Sequence, residues 1–165
     1  VPIKCAGITD NDPPKDSMPT PAKPVEGNNP ALRLLDSINI SDWARLYANK
    51  LKTFEYDLAM EADNLKVLVP VAKSLLTTNG PIKNKYEGYE KINWSAATDD
   101  QKAEASLYLL NHIEDIKGEF SQAVASEVAS QGQTLKVPEY IREAVIWVCE
   151  GASNEIHGEA EASGE

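Results

Sequence analysis

Seven of the ten prolines fall within residues 1–30, interspersed with Asp, Asn, Lys, Gly and Thr. Proline fixes φ and lacks an amide donor, so such a stretch neither continues a helix nor pairs as an interior strand. The expectation is a Pro-rich extended arm over residues 1–29. Beyond it the apolar residues recur at helical spacing, and period-two alternation bounded by hairpin turns does not occur.

The helix signals follow in order. Asn28-Asn29-Pro30 marks a start leading into Leu32, Leu35 and Ile38. Ser41 with Asp42 marks a second, carrying Trp43, Tyr47, Leu51, Phe54, Leu58, Leu65, Leu68 and Ala72, with a kink or break expected at Pro70. Thr77-Thr78-Asn79-Gly80-Pro81 stops it. Residues 81–95 fit a short helix or an ordered loop. Thr98 and Gln101 form a capping box ahead of one long helix over 99–131, with Gly132 just past its end. A last helix with Pro138 in its first turn presents Ile141, Ala144, Val145, Val148 and Cys149 and stops at Gly151. These readings give an all-α fold: an antiparallel helical bundle of about four to five helices over residues 30–151. Residues 152–165 are small, acidic and without Lys or Arg, and read as a flexible, disordered tail.

Sixteen Lys and Arg against 26 Asp and Glu leave a formal charge of −10, which repels nucleic acid and anionic lipid. The longest uninterrupted apolar run, residues 67–72, is far shorter than the roughly 18–20 residues of a membrane span. Several features point to a secreted, extracellular protein. The chain opens on Val1, as an exported protein does after losing its leader. Asn39-Ile40-Ser41 and Asn93-Trp94-Ser95 are acceptor triplets for glycosylation at Asn39 and Asn93. Cys5 and Cys149, the two cysteines, are expected to close a single disulfide that ties the arm to the last helix.

Recognisable chemistry is lacking. His112 and His157 have no convincing partner, although His112 and Asp115 lie about one helical turn apart. Metal-binding His pairs, a nucleophile elbow, a phosphate-cradling loop and Cys-x-x-Cys pairs are absent from the sequence, so neither an enzyme nor a cofactor is expected. The aromatics of residues 81–95, Tyr86, Tyr89 and Trp94, alternate with Lys83 and Lys85, a mixture that suits a protein-contact surface. The function expected is therefore recognition of a protein receptor or target, as a ligand, modulator or effector. In topology the chain resembles helical cytokines, in which a bond can join the N-terminal region to the last helix. The alternative is a carrier holding an apolar small molecule or lipid between the helices.

Overall fold

The computed structural model describes residues 3–77 and 80–158. It is a mixed α/β fold and corrects the all-α expectation. Strand β1 (Cys5–Thr9) pairs in parallel with β2 (Ala44–Ala48), Cys5 opposite Ala44 and Thr9 opposite Ala48. A 3-10 turn (Pro30–Leu34) and a short helix, α1 (Leu35–Ile38), lie between them in sequence. The helical body follows: α2 (Phe54–Met60), α3 (Leu65–Ser74), α4 (Pro81–Tyr89), α5 (Asp99–Ile113), α6 (Lys117–Gln131) and α7 (Glu139–Gly158).

Local chemistry explains several helix boundaries. The Asn29 side chain accepts from Ala31 N ahead of Pro30. Thr53 caps α2, and the Thr98–Gln101 capping box opens α5. Gly132 ends α6 with φ 60°, a left-handed conformation that glycine adopts without penalty. The long helix expected from Ser41 is instead β2, α2 and α3. The break between α2 and α3 falls not at Pro70, which sits inside α3, but at residues 61–64, where Ala62 takes φ 44°. There the Asn64 side chain donates to Leu58 O and Lys136 O and accepts from Lys136 N, fastening the turn to the distant segment before α7. The helix expected over 99–131 is likewise divided by a 3-10 turn (Glu114–Ile116). Helix α7 runs to Gly158, so the disordered tail expected from residue 152 begins as helix. Residues 78–79 of the expected helix stop and 159–165 of the tail lie outside the described residues.

The main core gathers Leu65, Leu68, Val69, Tyr86, Leu109 and Ile113 between α3, α4, α5 and α6. A smaller cluster of Leu51, Tyr56, Met60, Ala103 and Leu110 lies between α2 and α5. The arm is a strap laid over this second cluster. Asn11 N donates to Asn49 Oδ1 (2.6 Å), Lys52 Nζ to Pro14 O (2.8 Å) and buried Tyr56 Oη to Pro19 O (2.9 Å). Where the strap returns past itself, a Cβ at Gly27 would come within 1.7 Å of Asn11 O, so only glycine fits. Hydrogen bonds therefore hold the strap in place of the expected disulfide. Cys5 and Cys149 are both exposed, and no disulfide joins them.

Candidate functional site

The aromatic contact surface expected at residues 81–95 is turned inward. Tyr86 is 0% exposed, and Tyr89 and Trp94 are buried beside it. Helix α4 is amphipathic, and its ring-bearing positions face α5, where Tyr86 meets Tyr108 and His112 edge-on at 5.4 and 5.9 Å between centroids. His112 Nδ1 lies 2.6 Å from Tyr108 O, so this histidine belongs to the ring cluster and not to a pair with Asp115. Lys83 is half-buried. Exposed Lys85 pairs with Glu104 at 3.0 Å and lies over the Tyr108 ring at 4.6 Å. That carboxylate raises the pKa of Lys85 above its ordinary value. Lys85 thus covers the cluster from outside. On α7, Val145 and Cys149, expected inside, are exposed, while Tyr140, Ala144 and Trp147 form the buried stripe. Asn39 and Asn93 are both exposed.

What the structure adds is an asymmetric sheet. Parallel sheets are normally covered on both faces, and two strands alone are marginal. Here α7 covers one face, with the Trp147 ring beneath Lys4 (5.1 Å) and Arg45 (4.9 Å), and α1 packs against β2. The ladder fixes which backbone groups are used. Cys5 N donates to Trp43 O (2.8 Å) and Asn49 N to Thr9 O (3.2 Å). Strand groups alternate in direction, so Cys5, Gly7 and Thr9 face β2 while Ala6 and Ile8 turn outward.

The outward edge of β2 is capped by side chains at Ala44 and Leu46, whereas its third outward residue, Ala48, has no such cap among the described residues. Ala44 N donates to Ser41 Oγ (3.2 Å), Leu46 N to Asn39 Oδ1 (2.8 Å), and Asn39 Nδ2 to Leu46 O (3.2 Å). Asn39, read from sequence as a glycan acceptor, thus imitates a neighbouring strand. The outward edge of β1 has no such cover, and none of the described residues hydrogen-bonds the amides or carbonyls of Ala6 and Ile8. Only its far end is closed, by Asn29 Nδ2 donating to Asp10 O (2.8 Å). Ile8 of β1 and Ile3 just before it are exposed. Sequence reasoning missed the edge because the short strand β1 sits in a segment read as an extended Pro-rich arm without a strand pattern. Its one advance signal was Ile8 two residues from Ala6 ahead of the prolines.

A second feature lies beneath the strap. The buried Asp57 carboxylate accepts from three successive backbone amides, Lys50 N and Leu51 N at Oδ2 (3.1 and 3.2 Å) and Lys52 N at Oδ1 (2.9 Å). Burial pushes its pKa up to about 6, with the three amides opposing the shift and the Asp10 charge adding to it. Among the described residues no group of three or more His, Cys, Asp and Glu is placed to hold a metal ion, and no helix is long and apolar enough to cross a membrane. Comparison with known proteins gives no matching family model, no matching curated relative and no matching solved structure.

Proposed function

We propose that the protein acts by binding another protein, and that an extended segment of the partner adds as a third strand to the outer edge of β1. The supporting observation is the contrast between the two edges: β2 is blunted by Ser41 and Asn39, while the outward groups of Ala6 and Ile8 are unpaired. Proteins cover or blunt exposed edges because an open one templates pairing with another chain. Strand addition uses such an edge, with main-chain bonds giving affinity and alternate side chains giving specificity. Apolar residues at alternate partner positions would meet Ile8, and the −10 charge favours a basic segment. This reading keeps the role of ligand, modulator or effector outside the cell, and the exposed acceptor Asn93 agrees with that setting.

The carrier reading has one observation in its favour. A groove of about 290 Å³ between α2, α3 and α6 is lined mainly by Phe54, Leu58, Leu68, Phe120, Val124 and Val128. Its volume falls just below that of typical ligand pockets, about 300–1,000 Å³.

Ala6→Pro separates strand addition from other modes. The substitution deletes an outward N–H that the β1–β2 ladder does not use, so stability changes by less than about 1 kcal/mol. Peptides selected from a display library of extended sequences lose binding about tenfold or more to Ala6→Pro and to Ile8→Lys. Selected peptides that bind both variants as tightly as the parent would contradict the proposal.

A further inference from the structure

The main-chain groups of β1 that point away from β2 are the amides and carbonyls of Ala6 and Ile8, and Asn29 closes the chain just beyond them. This set is self-complementary. In an antiparallel pair, directly opposite residues exchange both of their hydrogen bonds, and a two-fold axis makes each contact occur twice. With Ala6 of one copy opposite Ile8 of another, the axis passes through Gly7 and every outward group of both strands is paired. Gly7 then faces Gly7 of the second copy in the closer type of pair, with Cα atoms about 4.5 Å apart, and a glycine inside a strand suits such an approach of another backbone. The same register sets Lys4 against Asp10 of the second copy, a pair of opposite charges.

The covering helix fits this arrangement. Lys4 and Arg45 both reach the Trp147 ring, so α7 lies over the face that bears Lys4, Ala6 and Ile8, and it contacts both strands. A two-fold through Gly7, normal to the sheet, puts both copies of α7 on that face. Helices that each sit over their own pair of strands are two strand spacings apart, about 9–10 Å, an ordinary distance between packed helices. The buried stripe of α7 is Tyr140, Ala144 and Trp147, and at helical spacing the exposed Val145 and Ile146 fall on its opposite flanks. Whichever flank meets the axis therefore carries an apolar residue toward its copy.

We infer that a second copy of this chain also occupies the β1 edge, paired antiparallel through Ala6 and Ile8 about a two-fold at Gly7. The inference rests on the open-edge reading above, and a partner segment competes for the same groups. Two chains of charge −10 repel one another, so the pairing is weak and a dilute chain is monomeric with its edge open.

Analytical ultracentrifugation of the full chain from about 5 μM to about 1 mM is the test. The parent passes from monomer to dimer, and raising NaCl from about 0.05 to about 0.5 M favours the dimer by screening like charges, the reverse of its effect on a basic peptide. Ala6→Pro and Ile8→Lys stay monomeric and keep their thermal midpoints. A Cβ at Gly7 meets the tip of the flexible Leu46 side chain, 3.0 Å away, which can turn aside. Gly7→Cys, with Cys5→Ser and Cys149→Ser, therefore folds, closes a disulfide between two copies on mild oxidation, and then no longer takes up edge-selected peptides. A parent chain still monomeric at the highest concentration, a dimer that survives Ala6→Pro, or a Gly7→Cys chain that does not cross-link would each overturn the inference. Peptide binding that is lost on Ala6→Pro, in a parent that never dimerises, overturns self-pairing and leaves the partner-strand reading standing. A dimer with the stated properties and no peptide binding overturns that reading alone.

Discussion

Replacing Tyr86 with Ala destabilises the protein by about 3–5 kcal/mol, the range for deleting a large buried ring. The ring is fully buried and meets three others, at 5.4 Å (Tyr108), 5.9 Å (His112) and 6.3 Å (Tyr89). Domains of this size are stable by only about 5–15 kcal/mol, so the variant is partly unfolded at moderate temperature. Tyr86→Phe behaves in the opposite way. The Tyr86 hydroxyl is buried without a partner, and its removal is neutral or stabilising. Urea denaturation of the pair measures both effects. If Tyr86→Ala kept its midpoint and lost only partner binding, the ring would belong to an exposed contact surface, and the account of α4 would be wrong.

Asp57→Ala costs a similar amount, about 3–5 kcal/mol, for a different reason. It strands three buried backbone amides at once, and each unmet donor costs about 1–3 kcal/mol, with incomplete additivity. The segment released, residues 49–52, also anchors the strap through Asn49 and Lys52, so the strap loosens with it.

The same carboxylate gives the protein an unusual pH response. Its pKa rises from 3.8 to about 6 on folding, so between those values the native state binds the proton that the unfolded state has released. Stability then falls as pH rises through that window and is recovered on acidification, by up to about 3 kcal/mol for a shift of roughly two units. Asp10 shifts in the same direction, chiefly by burial. Glu139 shifts oppositely through Lys50, but that pair is exposed and contributes little. Lys50, raised by its bond to Glu139, stays charged across this range, Tyr56 and Tyr140, raised by burial, stay neutral, and burial shifts Lys52 downward. In about 0.5 M salt, which screens the overall negative charge, the urea midpoint is higher near pH 5 than near pH 7.5. A lower midpoint at pH 5 would show that Asp57 is stabilised as a carboxylate by its three amides.

Features that depend on neighbouring residues were legible in the sequence. The Thr98–Gln101 box, the Asn29-Pro30 start and Gly132 at the end of α6 each act within one turn of chain. The α3 stripe of Leu65, Leu68 and Ala72 reads as helix for the same reason. Strand β2 did not, because Ala44-Arg45-Leu46-Tyr47-Ala48 holds no β-branched residue and continues a spacing of four from Trp43. Its state is decided by pairing with Cys5–Thr9, some forty residues away in sequence. The bonds from Asn11 to Asn49 and from Asn64 to Lys136 are equally remote, and they convert an arm into a strap and a helix into two. The candidate site fell in this second class. Tyr86, Tyr89 and Trp94 showed aromatic character without showing which way they faced, and an open strand edge exists only once its partner strand is known.

Residue-resolved amide exchange on the free protein, and again with a selected edge-binding peptide, shows whether the outer edge of β1 is open and whether a partner strand fills it. The Ala6 and Ile8 amides exchange fast in the free chain, while Gly7, facing β2, is protected; with peptide bound, Ala6 and Ile8 slow to rates like those of Gly7. Ala6 and Ile8 amides already protected in the free chain, or unchanged at saturating peptide, would contradict an open edge used for partner binding.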